Sequence, residues 1–213
     1  MADPAELYEA ILTGNAKKAQ EVAQTALDEG ADPSELVKKH MIPAMDEVGR
    51  RFECNEYFVP ELLIAARAMK GALELITPHL VASGAESTGR VVVGTVQGDL
   101  HDIGKNLVAS MLEGGGFEVV DLGVDVPPEK FIEAVQEKDG SILALSALLT
   151  TTMTMMKTVI EALNQAGLRE KTKVMVGGAP ITQAFADEIG ADGYSDNASA
   201  AVALARKLAG VTT

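Results

Sequence analysis

The sequence predicts an α/β protein in two parts, a helical bundle followed by a parallel sheet covered on both faces by helices. Three observations carry this. Roughly the first eighty residues keep a helical period without a convincing strand, the later residues alternate short β-rich runs with amphipathic stretches, and a small polar segment separates the two patterns. A short helix is expected near Leu7 to Leu12. Ala19, Val22, Ala23, Ala26 and Leu27 then fall on one apolar stripe, and Gly30 follows as a stop signal. Asp32-Pro33-Ser34-Glu35 opens a third helix with Met41, Met45, Val48 and Phe52 on one face, and Pro43 should kink it. The fourth opens at Pro60, where a missing N–H costs least, and turns Leu62, Ala66, Met69, Leu73 and Ile76 inward. These make a four-helix bundle over residues 1–82.

The segment Val81 to Thr88 (VASGAEST) reads as an exposed linker, and a second domain occupies 89–213. Its strands are expected at Arg90 to Val96, Phe117 to Leu122, Ser141 to Leu148, Lys173 to Val176 and near Tyr194. Five βα units of this spacing imply a flavodoxin-like, doubly wound five-stranded parallel sheet. Ligands in such sheets bind beyond the carboxyl ends of the strands, at the topological switch point. The loops after strands one, three and four are therefore the places to look for chemistry.

Composition narrows the classes of function. The chain has 213 residues, 47% of them hydrophobic, with 18 Lys and Arg against 31 Asp and Glu and a formal net charge of −13. Such a balance repels phosphate backbones and anionic lipid, so neither nucleic acid nor a membrane is an expected partner. No apolar run approaches the roughly 20 residues that span a bilayer, and the opening MADPAELYEA is unlike a signal peptide. A soluble cytoplasmic protein is expected. Cys54 is the single cysteine; it forms no intrachain disulfide or zinc site, and it reads as an unreactive, partly buried thiol.

After the first strand comes Gly98-Asp99-Leu100-His101-Asp102-Ile103-Gly104-Lys105, an unusually polar loop for a sheet's active edge. His101 stands between two carboxylates. A histidine whose second ring nitrogen donates to a carboxylate is held in one tautomer and becomes a better metal ligand, and Asp99 can supply that partner. The third strand ends at Ser146-Ala147-Leu148, where the Ser146 hydroxyl is expected to reach Asp99. The fourth ends at Gly177-Gly178-Ala179-Pro180, where absent side chains let a ligand lie against the backbone. A lone loop histidine is usually just solvated, and a glycine pair is usually a turn. Their placement at three adjacent strand ends is what gives them weight.

Asp99, His101 and Gly104, then Ser146 and Leu148, then Gly177 and Gly178, resemble the signature of the cobalamin-binding domain of methionine synthase, corrinoid methyl carriers and cobalamin-dependent mutases. The resemblance implies that His101 replaces the cofactor's own base as lower ligand of cobalt, with Asp99 and Ser146 tuning it. It further implies that Gly98, Leu100, Asp102, Ile103, Gly104, Leu148, Thr150, Gly177 and Gly178 contact the cobalamin. The segment from Met41 (MIPAMDEVGRRFECNEYFVPELLIAARAMKGAL) is similar to the helical cap of methionine synthase and of stand-alone corrinoid proteins, which the mutases lack. By that likeness Phe52 and Val59 sit over the methyl ligand, although ordinary bundle packing would also account for them. Cys54-Asn55 stands where relatives often carry a glycine before EYFVP.

The function so implied is a methyl shuttle. One substrate-specific methyltransferase loads cobalt from a methylamine, quaternary amine, methanol or methyl ether, and a second passes the methyl to tetrahydrofolate or a thiol coenzyme, with a reductive activase in attendance. The chain is expected to be a carrier subunit rather than a stand-alone catalyst, with a methylated amine the favoured donor. The competing implication is a cobalamin-dependent sensor, which would pair these parts with a DNA-binding module that the sequence does not offer. A receiver-like signalling domain shares the sheet but needs a phosphoacceptor aspartate where this chain has Ser146.

Overall fold

A computed structural model of the protein describes residues 4–83, 88–137 and 141–211. They fall into two compact units, Met1–Ser87 with Glu113–Gly116, and Thr88–Leu112 with Phe117–Thr213.

The helical unit begins with α1 (Pro4–Leu12) and α2 (Ala16–Asp28). Asn15 caps α2 by accepting from the Lys18 N–H, and Ala19, Val22, Ala23 and Ala26 are buried along the expected stripe. Asp32 caps α3 (Pro33–Leu36), taking the N–H groups of Ser34 and Glu35. The chain then widens into a π-helical turn, Val37–Met41, before α4 (Ile42–Glu53). Pro43 has no N–H to offer the carbonyl one α-turn back, so the helix meets the proline with a wider turn, in which the Ile42 N–H reaches back to the Val37 carbonyl. Met41, Met45 and Val48 are buried on one face, with Phe52 half-buried at its end.

Asn55 follows α4 with φ of 58°, a left-handed conformation that asparagine tolerates better than other side chains. That conformation is why a glycine would serve equally in this turn. The last helix, α5 (Val59–Ser83), buries Leu62, Ala66, Met69 and Ile76, with Leu73 half-buried. It also runs through Pro78, which the periodicity did not single out. The expected linker at Val81 to Thr88 is therefore helical over its first three residues, and its centre, 84–87, lies outside the described residues.

The second unit alternates β1 (Arg90–Thr95), α6 (Ile103–Gly114), β2 (Glu118–Asp121), α7 (Pro128–Gln136), β3 (Ile142–Ser146), α8 (Thr154–Gln165), β4 (Lys173–Gly177), α9 (Gln183–Ile189), β5 (Gly193–Ser195) and α10 (Ala198–Ala209). All strand pairs are parallel and the order is β2-β1-β3-β4-β5, the flavodoxin-like arrangement. Val92, Leu143, Leu145, Val174 and Val176 pack with Phe131, Met156, Val159 and Leu163 to form a core on one face. The β-branched runs explain the strands, and burial on both faces explains why β1, β3 and β4 are largely apolar, whereas the edge strand β2 ends in the exposed Glu118 and Asp121. One register row joins Thr95, Ser146, Gly177 and Ser195 across four strands, so the loops that follow emerge side by side.

Candidate functional site

The order of strands reverses between β1 and β3, and the loop after β1 carries the polar motif. Asp99 is fully buried at its centre. Its Oδ1 accepts from the His101 backbone N–H at 3.1 Å and pairs with His101 Nδ1 at 2.7 Å. Its Oδ2 accepts from the Leu148 N–H at 2.8 Å, the Leu149 N–H at 3.3 Å and the Thr152 hydroxyl at 2.6 Å. Burial alone pushes this carboxyl up. The donors from Thr152, Leu148 and His101 together outweigh burial and hold it well below the usual carboxylate range. Asp99 is thus an ionised acceptor sealed inside the sheet edge.

His101 is anchored at both ends. Its carbonyl accepts from the buried Thr95 hydroxyl at 2.9 Å, and its ring is about half exposed, at 49%. With an ionised carboxylate on Nδ1, the proton belongs on Nδ1 and the lone pair on Nε2. Among the described residues Nε2 makes no hydrogen bond, which leaves it to an external partner. Around the loop stand Leu100, Ile103, Leu148 and Leu149, all large and apolar yet exposed, Leu100 at 71% and Ile103 at 83%. Gly98 and Gly104 add no bulk among them.

The other carboxylate beside His101 has a different task. Asp102 accepts from Asn106 Nδ2 at 3.1 Å, and its carbonyl takes the Asn106 N–H, so it starts α6 rather than serving the imidazole. Below it, the buried Lys105 ammonium is held by Asn106 Oδ1 and by Asp121 at the end of β2.

Ser146 does not reach Asp99; the hydroxyl that does belongs to Thr152. After β3 the chain makes a tight turn in which the N–H groups of Thr152 and Met153 both bond the Leu149 carbonyl, folding Thr152 back onto the carboxylate. Ser146 is still within the sheet at that point, in register with Thr95 and Gly177. Sequence reasoning missed Thr152, which sits in an undistinguished run of threonines with the exposed Thr150.

One glycine of the pair at the end of β4 is required by the chain itself. Gly178 has φ of 130°, and a Cβ there would lie 1.9 Å from the Ala147 carbonyl oxygen. The chain's own backbone therefore demands this glycine, whatever lies against its other side. Phe52 and Val59 belong to the helical unit, half-buried and exposed respectively, and Phe58, Leu63 and Ile64 are exposed near them in sequence. Cys54 is exposed rather than partly buried, because it caps the end of α4, with Arg50 Nη1 at 3.7 Å from its sulfur.

Among the described residues no group of three or more His, Cys, Asp or Glu side chains could hold a metal ion, and no helix is long and apolar enough to cross a membrane. A metal at His101 would take one nitrogen from the described residues. One outward imidazole nitrogen inside an apolar rim fits a metal carried in a flat macrocycle.

Fold and site thus define a doubly wound sheet domain that holds a half-exposed histidine on a buried carboxylate at its switch point. Two family models, each described as a B12 binding domain, match residues 89–203 and 5–77, and the chain belongs to that family. It is 48% identical over 201 residues to the trimethylamine corrinoid protein of Methanosarcina barkeri, covering 93% of each. Among solved structures it resembles a cobalamin-binding protein from Desulfitobacterium hafniense DCB-2, with a TM-score of 0.80 and 33% identity over 98% of this chain and 99% of that one. It also resembles a chain of the methanol:cobalamin methyltransferase complex from Methanosarcina barkeri, with a TM-score of 0.84 and 32% identity over 98% of this chain and 80% of that one.

Proposed function

We propose that this corrinoid protein accepts a methyl group from a methylated amine through one methyltransferase and yields it through a second to tetrahydrofolate or a thiol coenzyme. A reductive activase would restore it after accidental oxidation, and the work would be done in the cytoplasm. Support for the amine comes from the trimethylamine corrinoid relative. Support for a methyltransferase partner comes from the complex whose chain this one resembles.

The observation that carries the reading is His101, with Nδ1 on a buried ionised carboxylate and Nε2 bare toward solvent. A bound corrinoid supplies a cobalt centre able to take up and release a methyl group. His101 Nε2 would be the protein nitrogen that holds this cobalt, and Asp99 would keep the ring in the tautomer and orientation that offer the lone pair. Thr152 and the Leu148 and Leu149 amides keep Asp99 ionised, so that its charge stays available to the imidazole. Leu100, Ile103, Leu148 and Leu149 would lie against the apolar edge of the macrocycle and exclude water from the ligand bond. Gly98, Asp102, Gly104, Ser146, Thr150, Gly177 and Gly178 complete the proposed cofactor contacts. Residues 1–82 would serve as a cap and 89–213 as the cobalamin-binding domain, with Phe52 and Val59 shielding the methyl. The exposure of Val59, Phe58, Leu63 and Ile64 suits such a role, since bundle packing leaves them uncovered.

The test is to load the full chain with methylcobalamin and record its absorption spectrum and the retained corrinoid. The wild type is expected to hold the cofactor with its own base displaced, and His101→Ala to lower affinity by about tenfold or more. A wild type that keeps the cofactor's own base on cobalt sinks the reading.

A further inference from the structure

We propose that Asp125 is a positioning residue for His101, gripping the backbone on both sides of Asp99 so that the carboxylate meets the imidazole at one angle. Asp125 lies in the loop between β2 and α7. Its Oδ1 accepts from the Gly98 N–H at 2.7 Å, and its own N–H donates to the Asp99 carbonyl at 3.0 Å. One residue therefore holds the chain just before and just after Asp99. Its φ is 53°, in the left-handed region that few side chains adopt. In this conformation its N–H and its carboxylate serve the same short stretch of chain.

The loop that carries Asp125 is itself tied to β1. The Leu122 N–H bonds the Val93 carbonyl at 2.8 Å, the Thr95 N–H bonds the Gly123 carbonyl at 3.0 Å, and the Val126 N–H bonds the Thr95 carbonyl at 3.0 Å. Asp121, which holds Lys105, also takes the Gly123 N–H at 2.8 Å. Asp125 is thus mounted on a braced segment, which lets it fix what it touches. The side chain of Asp99 is set by its donors, but the place from which that side chain starts is set by the backbone. Movement of this backbone would turn Oδ1 away from His101 Nδ1 and swing the Nε2 lone pair, because a hydrogen bond weakens steeply off line. The inference rests on His101 as lower ligand; Asp125 bonds the backbone of Gly98 and Asp99 and acts on the imidazole only through them.

Three substitutions separate its two bonds. Asp125→Asn keeps an acceptor oxygen and tolerates the φ, Asp125→Gly keeps the backbone conformation but loses the acceptor, and Asp125→Ala loses the acceptor and strains the backbone. In the cofactor-free full chain, exchange of the Gly98 amide is expected to rise about tenfold in the Gly and Ala variants and to stay within about twofold in Asn. In protein carrying nitrogen-15 histidine and loaded with cob(II)alamin, the electron paramagnetic resonance signal is split into a doublet by histidine and a triplet by the cofactor's own base, so the doublet share reads the ratio of histidine-bound to histidine-free cobalt. That ratio is expected to fall about tenfold in Ala, less in Gly, and to stay within about twofold of wild type in Asn.

The proposal is overturned if Gly98 exchange does not change in the Gly and Ala variants, or if it rises while the histidine-bound ratio stays at the wild-type value. It is overturned equally if Asn behaves as Gly does. Should the Ala variant fail to fold, the Gly and Asn pair decides alone. A wild type that shows no His101 nitrogen overturns the ligation reading and this inference together. That case differs from failure of the inference alone, in which the wild type carries the nitrogen signal and the variants retain it.

Discussion

Asp99 in the sheet unit and Glu47 in the helical unit are both carboxylates held ionised well below their ordinary range, by opposite means. Glu47 is part-exposed on α4 and takes both guanidinium groups of its neighbours, Arg50 at 2.7 and 2.8 Å and Arg51 at 2.8 Å, which push its pKa down to about 2. Arg51 then reaches the Tyr57 hydroxyl, which donates to the Leu12 carbonyl, so the cluster braces α4 against the end of α1. Asp99 is buried and has no guanidinium. It is stabilised by backbone N–H groups, one hydroxyl and the imidazole. A carboxylate neutralised by two cations has little field left for a third group, whereas one held by neutral dipoles keeps its charge directed at whatever it faces. Glu47 therefore suits a structural brace, and Asp99 suits a residue that must act on a histidine.

The largest effect that would break this contrast is expected from Asp99→Ala. It leaves the Thr152 hydroxyl and the Leu148 and Leu149 amides without their acceptor, and should lower the unfolding free energy by about 3 kcal/mol or more, read from denaturant titration. A loss under about 1 kcal/mol would mean that these donors find water instead. Thr152→Val, which removes the hydroxyl and keeps the shape, is expected to cost about 1 to 3 kcal/mol, while Ser146→Ala should stay within about 0.5 kcal/mol. The reverse order would restore Ser146 as the partner of Asp99.

Glu47→Gln should cost about 1 kcal/mol or less, since water screens the pair, and should leave the lower ligand of the loaded protein unchanged in its spectrum. Acid unfolding sharpens the comparison. Both carboxylates have a depressed folded-state pKa, so each contributes stability that is fully present above its unfolded value and is lost as pH falls. The Glu47 share should disappear between about 4.5 and about 2, and an acid titration of Glu47→Gln should lack that loss. The Asp99 share has the same sign and should persist in the Glu47 variant.

Much of this architecture was legible in residue order because the signals are local. The stripe Ala19, Val22, Ala23 and Ala26 is buried as read, and β1 and β3 to β5 lie within about two residues of their expected bounds. Pro43 was recognised as a disturbance, but a π-helical turn absorbs it, an outcome that depends on how the flanking residues pack. Cys54 reads from sequence as partly buried because free cysteine is usually packed, and its place at a helix end leaves it exposed.

By itself the sequence determined the two patterned halves, the parallel sheet and the nearness of Asp99 to His101, since side chains two apart in one tight loop lie within reach of each other. Tertiary structure alone decided that Thr152, 53 residues from Asp99, supplies the hydroxyl, and that Gly178 is required by the Ala147 carbonyl. Tertiary structure also brought Asp125 to the backbone beside Asp99. Those contacts join separate loops, and the path of each loop follows from strand register and helix packing, which no single segment encodes.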